Sequence, residues 1–272
     1  MSITIDFTDK TVVVIGGTSG INRGVAELFA KHGARVAVAS RSEDKVNDTV
    51  ASLKSLGPDA MGFSADVRDL DAIQKGMAQV HAAFGAFDVL VSGAAGNFPA
   101  TLNGMSANAF RSVVEIDLLG TFHVMKAGFE YLKKPGASVI NISAPQAFLP
   151  MHAQAHVCSA KAGVDMITRT LALEWGRDGV RINSIVPGPI DGTEGMDRLA
   201  PNEAVRQRVV ESVPVGRMGS PEDIGNTCLF LGSDLGSYVS GAILPVDGGW
   251  SQASCGDMSS YLGSLARKME KG

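Results

Sequence analysis

Residues 11–30 read TVVVIGGTSGINRGVAELFA, and the rest of the chain is arranged around them. Thr11–Ile15 is a β-branched apolar run without alternation, the pattern of a strand buried on both faces. Glycines follow at Gly16, Gly17 and Gly20, with small hydroxyls at Thr18 and Ser19; Ile21, Val25, Leu28 and Phe29 then recur at helical spacing. Strand, glycine turn and helix start together present free backbone N–H groups and the positive end of a helix dipole to a phosphate. Glycine-rich turns also make plain tight bends, and Asn22 stands where a third glycine is expected. The next element strengthens the nucleotide reading. Arg35–Ser40, RVAVAS, reads as a second strand, and parallel strands joined by a helix make a right-handed βαβ unit. At its end stand Ser40, Arg41 and Ser42. There, in a dinucleotide fold, an acid binds the ribose 2′-hydroxyl and an arginine accommodates a 2′-phosphate. With Arg41 present and no acid, NADP(H) is expected over NAD(H), against the alternative of a solvated surface arginine.

Downstream, 43–56 reads as a polar amphipathic helix, and Ala60–Phe63 leads into Ser64-Ala65-Asp66-Val67. Asp66 lies just past a strand's carboxyl end, where it either accepts from an adenine amino group or caps the helix beginning near Asp69. Val89–Ser92 is a fourth strand, followed by Gly93, Ala94, Ala95 and Gly96, then Asn97 and Phe98. Tiny residues in a row cost conformational entropy and make sense where backbone approaches a flat ligand. One long helix is expected over 106–133. It contains Asp117, a weak helix former flanked by Ile116, Leu118 and Leu119, which points either inward or to solvent. Ser138–Ile142, Arg181–Val186 and Ala242–Val246 complete the strands, and a helix over 154–176 carries Lys161. Pro187-Gly188-Pro189-Ile190 is a rigid turn, 191–218 a polar lid with a short helix at 201–213, and 221–231 a further helix. The tail 250–272 is amphipathic in part, through Tyr261, Leu262 and Leu265, and is expected to dock on the body or on a neighbouring subunit. Strands alternating with helices predict an α/β single domain over 1–272, a Rossmann-like doubly wound parallel sheet with helices on both faces.

The composition is that of one soluble α/β enzyme: 272 residues, 45% apolar and 19% charged. A net charge of −4 gives no reason to expect nucleic acid, and no run approaches the ~20 apolar residues of a membrane span. Cys158, Cys228 and Cys255 are scattered without metal spacing, the N-terminal residues lack signal-peptide regions, and the chain does not end in S-K-L. A cytoplasmic protein is expected. His152 and His156 stand at i and i+4 but lack the acid of a metalloprotease motif, so lining or core histidines are expected rather than metal ligands. Cys158 reads as a small buried filler rather than a reactive thiol.

The GGTSGI turn, ADV at 65–67, AAG at 94–96, the lysine helix, PGPI at 187–190 and VDGG at 246–249 resemble the short-chain dehydrogenases/reductases over essentially the whole chain. That resemblance implies tetramers paired through the helices at 106–133 and 154–176. It also exposes a departure. A typical member has Tyr four residues before the lysine and Ser thirteen before that Tyr, and here those positions are Val157 and Ala144. The helix-borne Asn aligns with Asp117, and only Lys161 survives.

Reducing a ketone leaves an alkoxide that needs a positioned acid, and losing that acid costs on the order of 10²–10⁴ in rate. Hydride added to the far end of a 2,4-dienoyl thioester instead gives a delocalised dienolate that hydrogen bonds can hold while carbon takes a proton from water. The peroxisomal-type 2,4-dienoyl-CoA reductases of the superfamily resemble this chain in AAGNF (Ala94–Phe98), D-x-x-G-T-F (Asp117–Phe122), H-x-x-S-A-K-A (His156–Ala162) and G-P-I-x-G-T-E-G (Gly188–Gly195). The resemblance implies reduction of 2,4-dienoyl-CoA to a 3-enoyl-CoA by NADPH, with Asp117 and Lys161 catalytic and a water as proton source. It assigns NADPH to Gly16, Gly17, Thr18, Ser19, Gly20, Ile21, Arg41, Asp66, Ala94, Ala95, Gly96, Lys161, Pro187, Gly188, Pro189, Ile190, Gly192 and Thr193, and the acyl-CoA to Arg41, Phe98, Pro99, Ala100 and Arg198. Two alternatives stay open: a reductase of the same fold acting on another carbonyl or enoyl substrate, and a non-catalytic NADP(H)-binding scaffold.

Overall fold

The computed structural model describes residues 5–253, apart from the side chains of Arg198 and Leu199. Among these residues β1 (Thr11–Ile15), β2 (Arg35–Ser40), β3 (Ala60–Ser64), β4 (Val89–Ser92), β5 (Ser138–Ile142), β6 (Arg181–Pro187) and β7 (Ile243–Val246) form one sheet. Its order is β3-β2-β1-β4-β5-β6-β7, every pair is parallel, and Val13 sits between Ala37 and Leu90 in register.

All five residues of β1 are buried, as its unalternating sequence requires. Val12 and Val14 face a core shared with α1 (Gly20–Lys31), α2 (Glu43–Leu56) and α9 (Pro221–Gly232). Val13 and Ile15 face the other core, built with α3 (Leu70–Phe84), α5 (Gly120–Gly128) and α6 (Ala155–Trp175). A strand sandwiched between two helical layers has no solvent face to mark with polar residues. The chain leaves β1 toward β2 and β3, then returns to β4 on the other side, so the carboxyl ends of β1 and β4 flank the switch point where such sheets bind ligands.

The expected helix over 106–133 is divided. α4 (Ala107–Val113) runs into a π-helical turn at Val114–Leu119 before α5 begins. The lid region holds α7 (Glu194–Leu199), which the sequence pattern does not suggest, and α8 (Glu203–Ser212), inside the expected 201–213. The described start of the tail docks on its own chain, Trp250 Nε1 donating to Ser212 Oγ at 3.1 Å. Tyr261, Leu262, Leu265 and Cys255 lie outside the described residues. Among the described residues no helix is long and apolar enough to cross a membrane.

Candidate active site

The glycine turn and the end of β4 make the two walls of one crevice. Gly16, Thr18, Ser19, Arg41, Asp66, Ala94 and Ala95 line it, joined by Asn22 and Gly93. A Cβ on Gly16 would lie 2.8 Å from Ala94 N, and its φ of +80° belongs to glycine, so the floor admits backbone only. Ser42, Asp69 and Ser220 cap α2, α3 and α9 with their side chains, whereas Ser19 makes no such bond to α1. The first N–H groups of α1 are therefore open to an anion. A glycine cradle, an uncapped helix start and an exposed Arg41 at the end of β2 fit a phosphorylated dinucleotide.

Not every residue of the glycine turn reaches that crevice. A Cβ on Gly17 would meet Val14 O at 2.8 Å and Val38 Cγ1 at 2.9 Å, so this glycine serves the packing of α1 onto the sheet. The Ile21 side chain packs on the core. Gly20 faces Thr193, which brings the segment after β6 against the phosphate turn, while Gly188 packs on Asp247 and Ile190 is buried. Pro189 O accepts from Gly219 N at 2.9 Å, Gly192 has φ +68°, and Thr193 caps α7 with its hydroxyl. For Asp66 the capping alternative fails: Asp69 caps α3, and the Asp66 carboxylate is gripped by Arg68 Nε at 3.0 Å and NH2 at 2.6 Å. That grip holds Asp66 below the usual carboxylate range. Arg68, which no sequence signal singled out, lines the neighbouring cavity that shares Asp66 with the crevice.

Deeper in, the π turn rotates Asp117 inward, and only 1% of it is exposed; the solvent-facing alternative is overturned. Oδ1 accepts from Gly96 N at 2.7 Å, and Oδ2 lies 3.3 Å from Lys161 Nζ. Lys161, also buried, donates to Ile142 O at the end of β5 at 3.1 Å. The Asp117–Lys161 contact is an ion pair without a directed hydrogen bond, so Oδ2 keeps an unused acceptor among the described residues. Beside the pair, Val157 is buried in an apolar cluster with Val113 and Ala160, against which Phe98 and Leu118 pack. His156 is fully buried, its Nε2 3.0 Å from Phe98 O and its ring 4.5 Å from the Phe98 ring, while His152 is exposed. Phe98 is thus tied to α6, and Ala100 to the segment before it, Ala100 N donating to Ala153 O at 2.9 Å; Pro99 is exposed between them. Cys158 is half-buried on α6 rather than a core filler, because it sits beside the Leu149 carbonyl on the helix flank.

A family model described as enoyl-(acyl carrier protein) reductase matches residues 16–251. The chain is 42% identical over 250 residues to the Arabidopsis thaliana peroxisomal 2,4-dienoyl-CoA reductase [(3E)-enoyl-CoA-producing], covering 88% of this chain and 84% of that one. It is 36% identical over 243 residues to a probable 2,4-dienoyl-CoA reductase [(2E)-enoyl-CoA-producing] of Bacillus subtilis, covering 88% and 96%. A crystal structure of a short chain dehydrogenase from Bacillus anthracis superposes with a TM-score of 0.80 at 36% identity, covering 89% and 96%. The chain belongs to the short-chain dehydrogenase/reductase family. It is an oxidoreductase, and the family's cofactor is a nicotinamide dinucleotide.

Within that family the usual phenol and serine are absent from their positions here, and among the described residues no tyrosine takes the phenol's place. Tyr131 packs against His81 and Phe87, with ring centroids at 5.0 and 5.7 Å, and Tyr238 is fully exposed. What the structure has instead is a buried carboxylate and ammonium, Asp117 and Lys161, 3.3 Å apart, with Val157 of an apolar cluster one turn before Lys161 on α6. The Arg198 side chain, expected on the acyl-CoA, lies outside the described residues.

Proposed function

We propose that this chain reduces a 2,4-dienoyl-CoA to a 3-enoyl-CoA with NADPH. The observation that carries the reading is the Asp117–Lys161 pair standing buried at 3.3 Å beside Val157, where the wider family keeps a phenol. NADPH, when bound, supplies the hydride. The residues for it are the open N–H groups of the Gly16–Ile21 turn, Arg41 for the 2′-phosphate, the Ala94–Gly96 backbone, Lys161 for the nicotinamide ribose, and the Pro187–Thr193 segment.

For the substrate, Phe98, Val157 and Leu118 offer an apolar wall to the conjugated carbons. Arg41 offers charge to the phosphates of the coenzyme A. Lys161 places positive charge near the thioester oxygen, where the dienolate charge gathers. Asp117 Oδ2, with its unused lone pair, orients a water that gives a proton to carbon. A ketone would leave an alkoxide at this site with no acid to quench it, which argues against simple carbonyl substrates. The products named for the two relatives differ in double-bond position, and the 3-enoyl product is taken here from the more similar one.

We further propose a homotetramer, supported by the apolar stripe of Phe122, Met166 and Leu173 that α5 and α6 leave exposed. A cytoplasmic location rests on the scattered cysteines and on the B. subtilis relative, whose name carries no compartment; the plant relative is named peroxisomal. The test is loss of NADPH absorbance with a medium-chain 2,4-dienoyl-CoA, beside a 3-oxoacyl-CoA and an NADH control. Turnover of the dienoyl substrate is expected, falling by on the order of 10²–10⁴ in Asp117→Ala and Lys161→Ala. Turnover of the oxo substrate instead would sink the reading. NADPH binding without turnover of either would favour the scaffold.

A further inference from the structure

One residue lining the crevice has a chemistry that the proposed reaction does not use. Asn22 lies in the first turn of α1, 8% exposed, and its Nδ2 donates to Gly93 O at 2.7 Å across the crevice. The fit is reciprocal. A Cβ on Gly93 would overlap the Asn22 amide, so the helix side chain occupies the space that a loop side chain would otherwise fill. Its second polar atom, Oδ1, is buried and has no partner among the described residues. An apolar residue of the same size would fill the gap without that unsatisfied acceptor, so filling alone does not account for an amide here.

The Gly93 bond has a function because of what lies beyond it. Gly93, Ala94, Ala95 and Gly96 carry no side chain able to fix their own backbone, and such a run samples many conformations when untied. Gly93 N is bonded to Ile15 O at 3.0 Å, which secures the start of the run to β1. Gly96 N, at its end, donates to Asp117 Oδ1 at 2.7 Å. Between the two ties, the Ala94 and Ala95 backbone forms the crevice wall.

We propose that Asn22 is a positioning residue: a strut from α1 that fixes the Gly93–Gly96 wall, and through Gly96 the orientation of the Asp117 carboxylate. The strut ties the element that would hold the cofactor phosphates to the segment that holds the proton-handling acid. Its part in cofactor binding rests on the NADPH reading above, but its part in ordering the wall does not.

The test uses Asn22→Leu, which keeps the bulk and loses the donor, and Asn22→Gly, which loses both. Amide hydrogen exchange in the protein without nucleotide is read over residues 93–97, and the dissociation constant of NADP⁺ by calorimetry. Both variants are expected to exchange the Gly96 amide roughly tenfold faster, with β1 still protected, and to bind NADP⁺ roughly three- to tenfold more weakly, the worth of one such hydrogen bond. If Asn22→Leu matches the wild type in both readouts, Asn22 is a filler and the proposal falls. If the wild type itself binds no NADP⁺, the cofactor reading falls, and the exchange of residues 93–97 alone decides the strut. If Asn22→Gly does not fold, Asn22→Leu still decides between strut and filler.

Discussion

At the residue scale the site is a line of buried charges behind the crevice: Asp117, then Lys161, then Asp165 one turn further along α6. Removing one member of a buried pair leaves the other uncompensated, which costs roughly 3–5 kcal/mol. Asp117→Asn keeps the shape and the acceptor for Gly96 N but still removes the charge facing Lys161, so its turnover is read beside its denaturant midpoint. Asp165 is 3% exposed, and burial raises its carboxyl above the usual range. A raised carboxyl pKa means that the folded state holds the proton more tightly than the unfolded chain. Its contribution is whole below about pH 4 and is lost as pH rises through the folded value. The wild type should thus lose stability relative to Asp165→Asn as pH climbs above about 4, measured by denaturant midpoints across pH. Parallel midpoints at every pH would refute it. Lys161 and Asp117 were legible in the sequence by their place in the motifs. Arg68 and Asp165 were not, because an acid or a base in a helix or loop does not announce which wall it faces.

At the element scale, local chemistry decided more than periodicity. Ser42, Asp69, Asn202 and Ser220 each cap the helix that follows, and each helix begins where its cap stands. α9 is the most strongly capped, with a Ser220–Asp223 capping box, and Arg217 closes on Asp223 at 2.7 and 2.8 Å. Those Arg217 bonds hold the Asp223 carboxyl far below its usual range. A depressed carboxyl stabilises above its unfolded pKa and loses that contribution as pH falls. Asp223→Ala should cost about 1 kcal/mol at neutral pH, and the gap to wild type should close as pH drops below about 4. A thermal shift series would show it, and an unchanged gap at low pH would count against the pairing. The π turn at Val114–Leu119 shows the opposite case. The sequence there reads as continuous helix, yet a Cβ on Gly120 would press on Val67 Cγ2 at 2.7 Å, so the register of α5 is set by contact with another segment. The wider π turn at this point is what swings Asp117 inward.

At the scale of the whole molecule, α5 and α6 leave an apolar groove lined by Phe122, Met125, Phe129, Met166 and Trp175. Phe122 and Met166 are about half exposed, at 48% and 57%, which a monomer leaves to water at a cost. Substituting Glu at both positions should split the proposed tetramer without unfolding the protomer, read by sedimentation velocity beside circular dichroism. An assembly of unchanged mass would move the interface elsewhere.

What the sequence alone determined is whatever is written into neighbours along the chain. The β-branched run of β1, the glycine turn, the helix caps and the motifs at strand ends set the α/β class and pointed to one crevice. Burial on both faces erases alternation, and that absence was itself readable. The tertiary structure decided what depends on contacts between distant segments. It buried Asp117 against Gly96 and Lys161, spent Asp66 on Arg68, sent Gly17 and Ile190 into the packing, and set Asn22 against Gly93 across 71 positions of chain. Such choices follow from which surfaces meet, and a linear pattern holds no record of that meeting.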